Sequence, residues 1–219
     1  MKYRIKHTNI FRYESEVEQS LNTIRLKPRN NECQRVLSYI CNITPNSMTK
    51  EYVDIWRNNI GSFFIAEKHK ELVITTSSIV SVQKAPYIFQ IQYSEEMKNI
   101  FHSQMFREHY LPYLSMSYYT TLTQAQIDEI LTGVGGLIDN PVRLACNIMY
   151  YLYETIRYDI DATTVNTTAS EAYTLKAGVC QDYTHIMLGV LRYCGIPARY
   201  ISGYLYAGEG DKLIGDTAT

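Results

Sequence analysis

A cysteine stands at the start of a predicted helix, and this combination of residue and position can supply a nucleophile. Apolar residues spaced three and four apart predict a helix from about Cys180 to Cys194, and Gly195 and Pro197 end it. A helix N-terminus carries a partial positive charge and unpaired N–H donors, which favour a thiolate and can stabilise an oxyanion. Cys180 is therefore a candidate nucleophile, although by position alone a small buried apolar residue is the more common role of a cysteine.

Three residues near this cysteine in sequence are candidates for contact with a substrate: Gln181, Asp182 and Tyr204. For Gln181, a solvated residue in the first helical turn is the alternative interpretation, and Asp182 suits the positive end of the helix dipole. His185 lies about 140° from Cys180 around the helix, at ~100° per residue, so we interpret it as a core or supporting histidine. The other four histidines are remote from Cys180 in sequence: His7, His69, His102 and His109.

Residues 178–204 read G-V-C-Q-D-x-x-H-x-M-x-x-x-L-R-x-x-G-I-P-A-R-Y-x-S-G-Y. This motif resembles the core of the bacterial transglutaminase-like superfamily, whose members are often named cysteine proteases. The resemblance implies a papain-like Cys-His-Asp site with Cys180 as nucleophile and with the His and Asp on strands after its helix. No histidine follows His185 in the sequence, so we expect the chain to hold the nucleophile without its base.

The first 93 residues predict a β-sandwich, because several short strand-like runs are separated by turn signals. The resemblance extends here and implies the N-terminal β domain of the same family. The residues that carry it are His7-Thr8, Tyr13, Arg25-Leu26-x-Pro28-Arg29, Gln34 and Asp54-x-Trp56-x-Asn58. Arg57 stands where the family usually has a glycine, so the local turn is expected to differ.

The rest of the chain predicts an aromatic-rich connector at residues 94–122 and a partial transglutaminase-like core at residues 123–219. Capping boxes that begin at Thr123 and Thr168, and the Asn140-Pro141 pair, predict three helices ahead of the cysteine helix. These helices precede the strands of the predicted core, which is the element order of an α+β protein.

Strand signals follow the cysteine helix. Residues 198–206 are rich in aromatic and β-branched types and predict a strand, and residues 212–214 predict the start of its return strand. We therefore expect the chain to end inside a sheet. The predicted fold class is α+β: an N-terminal β-sandwich followed by a papain-like or transglutaminase-like core that is truncated within its sheet.

Composition narrows the classes of function. The net charge of −1 gives no support to nucleic-acid or membrane binding. The five cysteines form no C-x-x-C pair, which predicts free thiols in a reducing compartment and no metal site. The N-terminus lacks the apolar segment of a signal peptide, and no run of about eighteen apolar residues occurs. We expect a cytoplasmic protein that needs no cofactor.

Two hypotheses for the function remain. The first is a thiol-nucleophile enzyme that acts on amide bonds of a peptide or protein substrate, with water or an amine as acyl acceptor. Hydrolysis is the preferred interpretation of the two. The alternative is a non-catalytic peptide-binding module built on an inactive transglutaminase-like domain. The sequence identifies neither the substrate nor the oligomeric state.

Overall fold

The computed structural model describes residues 1–83, 92–206 and 208, and these residues divide into two compact units. The described part of the first unit is residues 1–83 with 203–206 and 208, and that of the second is residues 92–202. Within these described ranges, no helix is both long and apolar enough to cross a membrane. The same residues contain no cluster of three or more His, Cys, Asp or Glu that could hold a metal ion.

The described residues of the first unit form two three-stranded antiparallel sheets. In chain order the strands are β1 (Lys2–Val17), β2 (Ser20–Ile24), β3 (Gln34–Thr44), β4 (Lys50–Val53), β5 (Asn59–Ile65) and β6 (His69–Val82). One sheet has the order β1-β6-β3 and the other has the order β2-β5-β4. Burial alternates along most of β1, because successive side chains of a strand point to opposite faces.

The apolar core of the first unit contains residues from both sheets. Its buried members lie on β3, β5 and β6, and they are Ile43, Phe63, Ile65, Leu72 and Ile74. Each sheet has an apolar face that would be exposed if the sheet stood alone, so burying the two faces against each other stabilises the pair. The N-terminal β-sandwich predicted from the sequence is therefore confirmed.

The second unit is mainly helical. Its elements are α1 (Glu95–Phe101), α2 (Gln104–His109), α3 (Leu111–Leu114), a 3₁₀ turn (Tyr118–Thr120), α4 (Gln124–Gly133), α5 (Pro141–Thr155), β7 (Arg157–Tyr158), α6 (Ala169–Leu175), β8 (Ala177–Gly178) and α7 (Cys180–Tyr193). The predicted capping boxes are confirmed at Thr123 and Thr168, and the Asn140 side chain caps α5. These local hydrogen bonds fix where three of the helices begin.

The core of the second unit holds α7 in place. Fully or almost fully buried side chains from α4, α5, α6 and α7 form one cluster, which includes Ile130, Ile148, Leu152, Tyr173, Ile186 and Val190. The residues from α7 lie on one face of that helix, at the three- and four-residue spacing that predicted it. Packing of this face fixes the helix that begins with Cys180.

The strand predicted at residues 198–206 is wrong, because these residues have no regular secondary structure. A strand needs a hydrogen-bonded neighbour, and in the described part of the chain no strand pairs with this segment. Its start is held by other bonds: Ala198 N–H donates to the Tyr113 carbonyl at 3.0 Å, and the Ala198 carbonyl accepts from Arg192. The predicted return strand at residues 212–214 lies outside the described residues.

Candidate active site

Backbone pairing fixes the segment that leads into Cys180. Strand β8 pairs in parallel with β7, so that Ala177 and Gly178 lie opposite Arg157 and Tyr158. Asp159 N–H continues this pairing and donates to the Gly178 carbonyl at 3.0 Å. The chain therefore enters α7 from a hydrogen-bonded position.

Cys180 is the first residue of α7, and its side chain is exposed. The other four cysteines are buried or half-buried: Cys33, Cys41, Cys146 and Cys194. The first N–H groups of a helix lack partners within that helix, and they point along its axis at the N-terminal end. An exposed thiol at this position can react with a molecule in solvent, close to donors that stabilise negative charge.

Asp182 is buried beneath the first turn of α7 and is only 1% exposed. Its Oδ2 accepts from the Val179 N–H and from the Thr163 hydroxyl, both at 2.7 Å. The Val179 bond satisfies a backbone donor at the helix start, as the second half of a capping box does. Asp182 therefore ties the residue before Cys180 to the third residue of the helix.

Gly178 makes room for this carboxylate, and its replacement gives a testable prediction. A Cβ atom built on residue 178 would lie 2.5 Å from Asp182 Oδ2, which is too close for real contacts. We expect Gly178→Ala to lower the free energy of unfolding by about 1 kcal/mol, near the low end for overpacking, because the contact is with a side chain that can shift. Chemical denaturation followed by circular dichroism measures this change.

The matched control is Gly203→Ala, because a Cβ at residue 203 would have no neighbour within 4 Å. The displaced Asp182 would lose its short bond to Val179, so Cys180 should also react more slowly with iodoacetamide in Gly178→Ala. Equal stability of the two variants would contradict this account of Gly178.

The other two predicted substrate-contact residues lie in different surroundings. Gln181 is half-buried next to Cys180, and its side-chain amide donates to the Val165 carbonyl at 3.2 Å. Tyr204 belongs to the first unit, where its hydroxyl lies 2.8 Å from His7 Nδ1. The structure thus brings Gln181 and Asp182 together with Cys180 in one helical turn, and it gives Tyr204 a partner in the β-sandwich unit.

His185, which the sequence analysis interpreted as a core or supporting histidine, contacts two aromatic rings that sequence reasoning did not connect with Cys180. The His185 ring has its centroid 5.9 Å from that of Tyr119 and 5.7 Å from that of Tyr200. Partial burial raises the pKa of Tyr200, and the negative charges of Cys180 and Asp182 add to this shift. No local pattern could have revealed Tyr200, because it reaches the site only through the fold.

Two family models match the chain. The model of the bacterial transglutaminase-like N-terminal region matches residues 3–81, which cover most of the β-sandwich. The model of the transglutaminase-like superfamily matches residues 130–215, which include the whole of α7 and Cys180.

Proteins that resemble the full length of this chain are found in mycobacteria. An uncharacterized protein of Mycobacterium leprae is 29% identical over 99% of this chain and 75% of its own length. An uncharacterized protein of Mycobacterium tuberculosis is 27% identical, and the match covers all of this chain and 71% of the relative.

A solved structure shares the fold. It is the crystal structure named "Putative Cysteine Protease from Cytophaga hutchinsonii", with a TM-score of 0.65 and 16% sequence identity. The match covers 90% of this chain and 65% of the solved one, so this chain spans slightly less than two thirds of that protein. The comparisons thus assign residues 3–81 to the bacterial transglutaminase-like N-terminal region and residues 130–215 to the transglutaminase-like superfamily, and the solved structure shows the shared fold.

Proposed function

We propose that this chain carries the nucleophile of a thiol enzyme that acts on amide bonds of a peptide or protein. The observation that carries the proposal is the exposed thiol of Cys180 at the first position of α7, a helix of 14 residues. The match of residues 130–215 to the transglutaminase-like superfamily supports the same chemistry. The name of the Cytophaga hutchinsonii protein points in the same direction, since it describes a cysteine protease.

The reaction proceeds in two steps. The Cys180 thiolate attacks the amide carbonyl carbon, so that a C–S bond forms and the carbonyl oxygen becomes an oxyanion. The N–H groups at the start of α7 stabilise this oxyanion. The C–N bond then breaks, the amine takes up a proton and leaves, and a thioester remains. Water or an amine attacks the thioester, and the thiolate of Cys180 leaves; we favour water as the acceptor.

A thiol enzyme of this kind needs a base that accepts the thiol proton. The family resemblance implies a histidine and an aspartate on strands that follow the cysteine helix. His185 is the last histidine of these 219 residues. The proposal therefore assigns the base to no histidine of these 219 residues and leaves this role to the histidine that the resemblance implies.

The neighbours of Cys180 take separate parts in the proposal. Asp182 positions the helix start through its bonds to Val179 and Thr163, and its burial supports this role better than contact with substrate. Gln181 lies beside the thiol at the surface and is the better candidate for a polar contact with substrate. Tyr204 stays a proposed substrate-contact residue through its place in the family motif, and the surroundings of Cys180 add no support for this role.

Alkylation by iodoacetamide at each of the five cysteines, read by peptide mass spectrometry, tests the proposal. We expect Cys180 to react fastest at neutral pH, because it is exposed and lies at a helix N-terminus. Burial raises the pKa of the Cys41 and Cys194 thiols, so their thiolate fraction at a given pH is smaller and their alkylation needs higher pH.

The half-buried Cys33 is the internal reference, since it is a free thiol that lies in the other unit. The experiment is run on this chain and on the longest natural form of the protein. A Cys180 that reacts no faster than Cys33 in both forms would overturn the enzyme proposal and favour a non-catalytic peptide-binding module.

A further inference from the structure

Two side-chain atoms near the start of α7 are polar and buried, and their hydrogen bonding is unusual. Neither Asp182 Oδ1 nor His185 Nδ1 has a hydrogen-bond partner in the parts of the chain that the structure describes. The two residues are three positions apart on one helix, so their side chains lie on the same face. Buried polar atoms in folded proteins almost always have a partner, and each exception calls for one.

Asp182 cannot bring Oδ1 to a hydrogen-bond partner by turning its carboxylate. Its other oxygen, Oδ2, is already held by Val179 N–H and the Thr163 hydroxyl, both at 2.7 Å. These two bonds fix the plane of the carboxylate, and the side chain is 1% exposed. Oδ1 is therefore a stationary buried acceptor that needs a donor at one defined place.

The imidazole of His185 is suited to act as a hydrogen-bond donor on the face of α7 that also carries Asp182. Burial lowers its pKa, although the nearby charge of Asp182 opposes this shift, so the ring is neutral at neutral pH. A neutral imidazole has one N–H donor and one acceptor nitrogen. Its ring neighbours, Tyr119 and Tyr200, contact it through their aromatic rings, with centroid distances of 5.9 and 5.7 Å.

We propose that one buried water molecule bridges His185 Nδ1 and Asp182 Oδ1, and that His185 is thereby a positioning residue for the helix turn that presents Cys180. The water accepts from the Nδ1–H of His185 and donates to the carboxylate. Buried waters typically bridge polar groups of this kind that lack a protein partner. His185 does not touch the thiol in this arrangement. It acts through Asp182, which holds Val179 and so the first turn of α7.

The importance of His185 for Cys180 rests on the proposed function, whereas the presence of the bridging water does not depend on that function. Loss of the imidazole donor leaves a buried carboxylate oxygen without compensation. This cost favours opening of the first turn of α7, which lets solvent reach Oδ1 and weakens the bond from Val179 N–H to Asp182. Cys180 consequently loses its fixed place at the helix N-terminus.

The test compares two variants of His185 in the full chain. His185→Asn places an amide N–H close to the position of Nδ1, whereas His185→Leu has similar bulk and no donor. We expect His185→Leu to slow alkylation of Cys180 by about fivefold relative to Cys33, and His185→Asn to restore most of that rate. A general packing role for the ring would make both variants equally slow.

A crystal structure of the unmodified chain supplies the second readout. A water within about 3.2 Å of both Asp182 Oδ1 and His185 Nδ1 supports the proposal. A direct bond between the two side chains, or a protein group in that place, overturns it. Slow alkylation of Cys180 in the unmodified chain would count against the proposed function alone. The crystal structure tests the bridging water separately, whatever the rate of alkylation is.

Discussion

Replacing Arg192 with leucine is expected to lower the free energy of unfolding of the second unit by about 3 kcal/mol. The guanidinium donates to the Ala198 carbonyl from Nε at 3.1 Å and from Nη2 at 2.8 Å. Its third nitrogen, Nη1, donates to the Ser115 carbonyl at 3.0 Å. Leucine would leave both carbonyls without this donor, and hydrogen bonds from a charged group each contribute about 1.5–3 kcal/mol.

The geometry explains why arginine suits this position better than lysine does. A guanidinium presents several donors in one plane, so it can reach two carbonyls from different segments at once. Arg192→Lys keeps the positive charge but offers a single nitrogen, and we expect it to recover less than half of the loss. Arg143→Leu, an exposed arginine on α5, is the matched control and should change stability by less than about 0.5 kcal/mol.

Two spectroscopic signals allow the two units to be followed separately. All seven α-helices described here belong to the second unit, so helical circular dichroism in a urea titration reports its unfolding. The sole tryptophan, Trp56, lies in the first unit, and its fluorescence reports the β-sandwich. Arg192→Leu should shift the helical transition to lower urea. If only the Trp56 transition moves, the bonds of Arg192 do not stabilise the second unit.

The features that could be predicted from the sequence depend on contacts within a few residues. A capping box joins positions three apart, so Thr123 and Thr168 identify helix starts without knowledge of the fold. The alternation along β1 and the apolar spacing along α7 likewise record one buried face of a local element. Cys180 at a helix start was predictable for the same reason.

Features that depend on a distant partner could not be predicted in this way. The polar residues 14–18 suggest a turn, yet β1 continues to Val17 because Val17 pairs with His69 after a register shift. Residues 198–206 have strand-forming composition, but no strand in the described part of the chain pairs with them. Strand propensity describes a side chain that suits a sheet, and only a neighbouring strand makes the sheet.

The same distinction between local and distant contacts applies to the residues of the candidate site. The sequence shows Asp182 as an acidic residue that suits the positive end of a helix, whereas its burial and its bond from Thr163, 19 residues earlier, come from the fold. Tyr200 lies beyond the end of α7, and it reaches His185 because Arg192 holds the intervening segment at Ala198. A single sequence gives the position of the nucleophile, and the residues that surround it come from the fold.

Gly189→Ala separates two opposing effects in the middle of α7. Alanine has a higher helix propensity than glycine, by about 1 kcal/mol, so at an exposed helical site this change would stabilise. A Cβ at residue 189, however, would lie 2.3 Å from the carbonyl oxygen of Thr120. That oxygen belongs to the backbone of Thr120, the buried last residue of the 3₁₀ turn, and it cannot move aside as a flexible side chain can.

The steric effect is expected to exceed the gain in propensity. Overpacking of this kind costs typically 1–3 kcal/mol, and a contact with backbone belongs at or above the upper end of that range. We therefore expect Gly189→Ala to lower the free energy of unfolding of the second unit by about 2 kcal/mol after the propensity gain is subtracted. Helical circular dichroism in a urea titration measures the change.

Thr132→Ala, at an exposed position of α4, is the control that carries the propensity gain without the clash. It should raise stability by a few tenths of a kcal/mol, so the two variants are expected to move in opposite directions. A rise in stability for Gly189→Ala would mean that α7 and the turn at Tyr118–Thr120 lie farther apart than the structure has them. In that case the packing of α7, and with it the placement of Cys180, would need revision.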